Sequence, residues 1–183
     1  MNNNITAVIL AGGKSLRMGT DKAFVKFNNT TLIQNQVEFL SSIFKNVIIS
    51  ANAKYLENIK VIADIHKNIG PIGGIYSILK NVESEKIFIL SVDTPFVSKF
   101  IVDTLIDNSK DFDISIPIIN NKIEPTCAIY SKNCTTKIEE QITNKNYKLT
   151  NFITNCKTNY VHFNDDYLKF FLNINKPEDL INL

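Results

Sequence analysis

A three-layer α/β/α fold with a mostly parallel, doubly wound sheet and an antiparallel excursion in the second half is what this sequence predicts, and three observations carry the prediction. Short β-branched and apolar runs alternate with stretches of helical periodicity through residues 5–106. The first run stops abruptly at a glycine pair, Gly12-Gly13. Two later apolar runs flank Asn120-Asn121, a dipeptide that tolerates the positive φ angles of a tight hairpin. Alternating strands and helices imply parallel strands with crossover helices, because a parallel pair cannot be closed by a tight turn.

Taken in order, residues 5–10 read as a buried strand opening into a loop. Across residues 32–44 the apolar positions Leu32, Ile33, Val37, Leu40, Ile43 and Phe44 recur at steps of three and four, giving one sticky helical face. Strands are expected at 47–51 and 60–63. After the turn Gly70-Pro71-Ile72-Gly73-Gly74, a helix carries Ile75, Ile78, Leu79 and Val82 inward. A fourth buried strand at 87–90 runs into Asp93-Thr94-Pro95, and 100–106 reads as a helix with Phe100, Ile101, Val102 and Leu105 inward.

The second half is less regular. Runs 114–119 and 123–129 form the expected antiparallel excursion, followed by helices at 133–142 and 149–153 and a strand at 160–163. A last strand leads into Asn173-Ile174-Asn175, and Pro177-Glu178-Asp179 suits the first turn of a final helix capped by Asn175 or Lys176. No internal repeat, low-complexity linker or boundary divides the chain, so residues 1–183 are expected to form a single domain.

Composition narrows the function classes. The 183 residues are 44% hydrophobic and 21% charged, with a net charge of +2 and basic residues scattered along the chain, which gives nucleic acid binding no support. No run approaches the roughly 20 apolar residues that cross a bilayer, and Met1-Asn2-Asn3-Asn4 lacks the pattern of a secretory signal, so a cytoplasmic location without membrane contact is expected. Cys127, Cys134 and Cys156 match neither a disulfide framework nor a metal knuckle and read as reduced packing residues. His66 and His162 lie far apart without a ligand pattern; with the aromatics Phe163, Tyr167, Phe170 and Phe171 they read as packing or surface.

In an open parallel sheet, ligands bind beyond the carboxyl ends of the strands, which directs attention to the loops after Leu10, Ala51, Ala63 and Leu90. After Leu10 the glycines let backbone N–H groups face an anion, and Lys14, Arg17 and Lys22 add three cations, so polyphosphate is the natural guest. Two better-known phosphate loops fail. The P-loop spacing would need glycine where Val8 stands, and a dinucleotide fingerprint begun at Gly12 meets Lys14 and Arg17 where it needs glycine.

The run Leu10-Ala11-Gly12-Gly13-x-Ser15-x-Arg17-Met18-Gly19-x-Asp21-Lys22 resembles the signature of nucleotidyltransferases that transfer a nucleoside monophosphate from a triphosphate. In sugar-phosphate members the lysine follows a proline after a longer loop; the compact R-M-G-x-D-K form resembles the molybdenum cofactor guanylyltransferases. The resemblance runs through nearly the whole chain, at Ser50-Ala51-Asn52, Val61-Ile62-Ala63-Asp64, Gly70-Pro71-Ile72-Gly73-Gly74, Asp93-Thr94-Pro95-Phe96, Pro125-Thr126 and Asn173-Ile174-Asn175-Lys176-Pro177-Glu178-Asp179. Two departures stand out: some members have asparagine where this chain has Ser50, and an alanine-glycine pair is common where it has Gly73-Gly74.

The resemblance implies that Leu10, Ala11, Gly12 and Gly13 hold a nucleotide through the backbone, that Lys22 meets its phosphates, and that Asn52 and Asp64 lie in nucleotide-contacting loops. Asp93 would bind both Mg²⁺ and nucleotide, and Arg17, Lys22 and Asp93 would form the catalytic set. The implied reaction moves GMP from GTP to molybdopterin and releases pyrophosphate, with proteins that supply or receive the cofactor as transient partners. The residue types suit that chemistry. Attack on an α-phosphorus joins two polyanions, so metal and cations must neutralise charge and no covalent nucleophile is needed. A carboxylate at a strand end facing a glycine loop is a hard oxygen ligand suited to Mg²⁺.

Asp64 could accept from the two neighbouring N–H donors of guanine, cap a turn, or touch the ribose. Asn173 and Asn175 could complete the metal or acceptor site, or simply cap the helix that follows. Two rivals remain at this stage: a cytidylyltransferase acting on the same pterin or another phosphorylated metabolite, and a nucleotide-sensing module that transfers nothing.

Overall fold

The computed structural model describes residues 2–12, 21–27, 29–53, 55–175 and 179. In chain order its first half contains β1 (Asn2–Leu10), a 3-10 turn (Lys22–Phe24), the small antiparallel pair β2 (Lys26–Phe27) and β3 (Thr30–Thr31), α1 (Leu32–Ser41), β4 (Phe44–Ser50), β5 (Lys60–Ile62), α2 (Pro71–Asn81), β6 (Lys86–Ser91) and α3 (Lys99–Asp107). The second half adds β7 (Ile114–Ile119), β8 (Lys122–Ile123), β9 (Cys127–Ser131), α4 (Cys134–Thr143), α5 (Leu149–Thr154), β10 (Thr158–His162) and a 3-10 segment (Asp165–Phe171).

The main sheet runs β10-β7-β9-β6-β1-β4-β5, with β8 paired to β7. Among the described strands of this sheet only β9 and β8 run against the rest. The period-2 geometry of a strand sends alternate side chains to opposite faces. In β1, Ile5, Ala7 and Ile9 enter one core with Leu32, Ile33 and Leu40 of α1 and Ile101 and Leu105 of α3. Val8 and Leu10 enter the other, with Ile72, Ile75 and Ile78 of α2, Ile138 of α4 and Phe152 of α5. Three layers result, as expected.

Several boundaries differ from the sequence reading. The first helix stops at Ser41, and Phe44 already opens β4; Ile43 and Phe44 are buried in the core all the same, so apolar spacing alone could not separate helix from strand there. Phe100, expected inward, is 56% exposed. The buried face of α3 is centred on Ile101, Val102 and Leu105, which turns Phe100 outward to stack on Tyr167 with ring centroids 5.6 Å apart.

Asn120 and Asn121 take φ of 49° and 59° and close the expected hairpin between β7 and β8. The single strand expected over 123–129 is broken, however. The chain leaves β8 through Glu124-Pro125-Thr126, where proline has no N–H for a ladder, and re-enters as β9 between β6 and β7. Among the described residues no strand follows β10 to lead into Asn173; a 3-10 segment and extended chain take its place, and Ile174 N donates to Asp93 O at 2.7 Å. Of the last expected helix only Asp179 is described, and its carboxylate accepts from Asn175 N at 2.7 Å, the reverse of the expected cap.

Candidate active site

The carboxyl ends of β1, β4, β5 and β6 meet on one side of the sheet, and the backbone ties them together. Ala11 N donates to Ser50 O, Ala51 N to Ile62 O, and Val92 N to Leu10 O, all within 3.0–3.1 Å. The loops that the sequence singled out are therefore neighbours, as the strand-end rule for open sheets requires.

A cavity of about 70 Å³ lies among them, lined by Leu10, Gly12, Ser50, Asp64, Gly74 and Thr126, with Ser91 at its side. Its glycines keep it open. A Cβ at Gly74 would stand 2.8 Å from Ser50 Oγ and 3.2 Å from Leu10 Cδ2, whereas one at Gly12 would make only ordinary contacts, the shortest 3.7 Å to Ser50 O. Gly73 is tightly enclosed as well: a Cβ there would stand 2.7 Å from His66 O and 2.8 Å from Ile69 Cγ1.

Asp64 looks into this cavity from the end of β5. Asn52 binds it at the backbone, Asp64 N donating to Asn52 Oδ1 at 3.3 Å. Burial raises the Asp64 carboxyl above its ordinary value, while hydrogen bonds from the Asn52 and Ser50 side chains pull the other way. A half-buried carboxylate that has no cationic partner among the described residues, aimed at an opening, is costly for folding.

Lys22 and Asp93, 71 residues apart, form an ion pair of 3.2 Å from Nζ to Oδ2, and Lys22 Nζ also donates to Asn175 Oδ1 at 2.7 Å. Ser91 Oγ donates to the other carboxylate oxygen, Oδ1, at 2.6 Å. Thr94 Oγ1 donates to Asn173 Oδ1 at 2.9 Å, so both asparagines of the C-terminal segment are drawn to this corner. Asp93, Asn173 and Asn175 together offer hard oxygen atoms. Mg²⁺ fits that donor set, since it is commonly held by one or two carboxylates with phosphate oxygens and water. Gly13 and Arg17 lie outside the described residues.

Sequence reasoning missed Tyr55. Its hydroxyl donates toward Asp21 Oδ2 at 2.5 Å and Ala11 O at 3.1 Å, pinning the end of β1 to the residue before Lys22. Burial, then the hydrogen bond and charge of Asp21, push the Tyr55 hydroxyl far above its ordinary value, so it stays a donor. Asp21 Oδ1 also accepts from Ala23 N at 3.1 Å, capping the turn that carries Lys22. A lone tyrosine five residues after the end of β4 gives no periodic signal. Cys127, Cys134 and Cys156 are free, and burial pushes the Cys127 thiol up, away from reactivity.

A larger groove of about 1250 Å³ opens at the other end of the sheet, among Asn4, Lys45, Lys60 and Lys86. It holds none of the candidate site residues named from the sequence, and it faces the strand starts, where open sheets do not place ligands. Among the described residues no helix is long and apolar enough to cross a membrane.

The MobA-like NTP transferase domain matches residues 7–158. The chain is 37% identical over 194 residues to a protein of Natranaerobius thermophilus named "Probable molybdenum cofactor guanylyltransferase", covering 98% of this chain and 95% of that one. A protein of the same name from Pelotomaculum thermopropionicum is 31% identical, with 96% of this chain and 90% of that one covered. The crystal structure of molybdopterin-guanine dinucleotide biosynthesis protein A from Archaeoglobus fulgidus superposes with a TM-score of 0.79 at 24% identity, covering 97% of this chain and 95% of that one, a likeness of fold.

Proposed function

The chain belongs to the MobA-like NTP transferase family, and from that premise we propose that it transfers GMP from GTP to molybdopterin in a Mg²⁺-dependent reaction, forming the guanine dinucleotide and pyrophosphate. An oxygen of the acceptor phosphate attacks the α-phosphorus, a new P–O bond forms there, and the bond to the β-phosphate oxygen breaks with its electrons leaving on pyrophosphate. The names of relatives similar over nearly the full length support the donor and acceptor. The observation that carries the reading is the convergence of Lys22 and Asp93 beside a glycine-lined cavity holding Asp64.

Within that reading the backbone of Leu10, Ala11, Gly12 and Gly13 receives the nucleotide, and Asp64 accepts from N1–H and the exocyclic amine of guanine while Asn52 and Ser50 hold it in place. Lys22 swings from Asp93 and Asn175 onto the phosphates. Asp93 would hold the Mg²⁺, with Asn173 or Asn175 within reach as carbonyl-oxygen donors. The metal supplies charge neutralisation between the phosphates. Arg17, by its place in the signature, adds a cation as pyrophosphate charge develops. Proteins that supply molybdopterin or receive the dinucleotide are its expected partners.

Calorimetric titration with GTP, CTP, ATP and UTP in the presence of Mg²⁺ tests the base assignment. GTP is expected to bind tightest. CTP binding at least as tightly would move the reading to cytidylyl transfer.

A further inference from the structure

We propose that Gln36 is a positioning residue for Asp93, holding the turn that presents this carboxylate from inside the core; this rests on the reading of Asp93 as a metal ligand. Gln36 lies on α1 and is fully buried. Its Nε2 donates to Ser91 O at 3.2 Å and to Thr94 O at 2.9 Å. Those two carbonyls are the ends of a turn that Thr94 N closes onto Ser91 O at 3.2 Å, with Val92 and Asp93 as its central residues. One amide with two N–H groups therefore spans the turn from end to end.

The arrangement is chemically specific. A side-chain amide serves two carbonyls from one nitrogen without burying a charge: glutamate would place acceptors against acceptors, lysine would bury an ammonium, and leucine or methionine would fill the space without bonding to either carbonyl. Among the described residues Gln36 Oε1 has no hydrogen-bond partner, so the amide's acceptor is buried there without compensation. For packing alone an apolar side chain of similar volume would be the better choice at this position, which lies on the same helical stripe as Ile33, Val37 and Leu40. What glutamine adds is control of the turn. Ser91 is part of that turn, and its hydroxyl fixes Asp93 Oδ1, leaving Oδ2 to Lys22 or to a metal.

The experiment compares wild type, Gln36→Leu and Asp93→Asn by the Mg²⁺ concentration that half-saturates GTP binding in calorimetry, by GTP affinity in EDTA, and by melting temperature. Gln36→Leu is expected to raise the half-saturating Mg²⁺ on the order of tenfold or more, the usual scale for residues that orient a metal ligand, while GTP affinity in EDTA stays within about twofold. If Gln36→Leu leaves the Mg²⁺ requirement unchanged while Asp93→Asn raises it, Gln36 is a structural residue and the proposal falls. If Asp93→Asn is also without effect, the metal-ligand reading itself has failed. Should Gln36→Leu not fold, the wild-type side-chain amide of Gln36 decides by NMR. Slow proton exchange and a shift of its resonances on adding Mg²⁺ with GTP support the proposal, and rapid exchange or unmoved resonances overturn it.

Discussion

Replacing Lys22 by alanine separates what this residue does for folding from what it does for the reaction. In the resting structure its ammonium makes one ion pair, 3.2 Å to Asp93, and one hydrogen bond, 2.7 Å to Asn175, with about a fifth of each partner of the pair exposed. Interactions of that kind are worth about 1–2 kcal/mol together. At about 2–4 °C per kcal/mol for a chain of this length, the melting temperature should fall by no more than about 8 °C. If the same ammonium meets charge that grows or moves on the phosphates, its loss should cost about 2–4 kcal/mol of transition-state stabilisation, which is about 30- to 1000-fold in single-turnover rate. Weaker GTP binding should accompany it. Measured at saturating GTP and well below melting, the rate reports the second effect alone. Lys14→Ala is the control and should cost much less. A Lys22→Ala rate within about threefold of wild type, or an equal loss at Lys14, would refute the reasoning.

Further outcomes are expected. Asp93→Asn should lose most transfer activity with its circular dichroism spectrum intact, because an amide is a poorer Mg²⁺ ligand of similar shape; full turnover at limiting Mg²⁺ would make Asp93 structural. Gly12→Ala should keep the wild-type melting temperature and lose GTP affinity in calorimetry, whereas Gly73→Ala, whose Cβ meets a backbone oxygen at 2.7 Å, should lower the melting temperature by an overpacking cost of about 1–3 kcal/mol. Because Asp64 titrates above its ordinary value, its ionised form costs stability at neutral pH, and that cost vanishes as pH falls through the raised value. Asp64→Asn is therefore expected to be at least as stable as wild type at pH 7 in thermal melts yet to bind GTP weakly, and wild-type GTP affinity should decline on acidification sooner than an ordinary carboxylate would allow. Tyr55→Phe should lower stability by about 1–2 kcal/mol and raise the GTP dissociation constant, since it frees Asp21 and Ala11 from each other; an unchanged dissociation constant would confine Tyr55 to folding.

The parts of the fold legible in the sequence are those where a local pattern has one structural solution. Alternation in β1 sends Ala7 and Val8 to opposite cores, and Asn120-Asn121 supplies two consecutive positive φ angles. Glycines flagged the cavity: Gly12 follows the end of β1, and Gly74, in the first turn of α2, leaves room that a Cβ 2.8 Å from Ser50 Oγ would take. Legibility fails where long-range contacts choose between solutions. Phe100 fits the helical period of α3 yet points outward, because three neighbours already fill the buried face. The segment before Asn173 has strand-like residues, but it winds into a 3-10 segment, and Ile174 N just beyond it donates to Asp93 O instead of a ladder. Tyr55 and Ser91 act through partners 34 and 2 residues away, and neither sits in a periodic pattern. Gln36 alone left a trace, as a polar residue on the apolar stripe of α1.

Guanylyl transfer is tested most directly by the reaction itself. With purified protein, Mg²⁺ and molybdopterin, pyrophosphate release should be measured for GTP, CTP, ATP and UTP in turn, with mass spectrometry of the pterin product. GTP is predicted to give pyrophosphate and a guanine dinucleotide in equal amounts, dependent on both Mg²⁺ and pterin, with the other three triphosphates far slower. Pyrophosphate release from none of the four, or a dinucleotide formed preferentially from CTP, would contradict it.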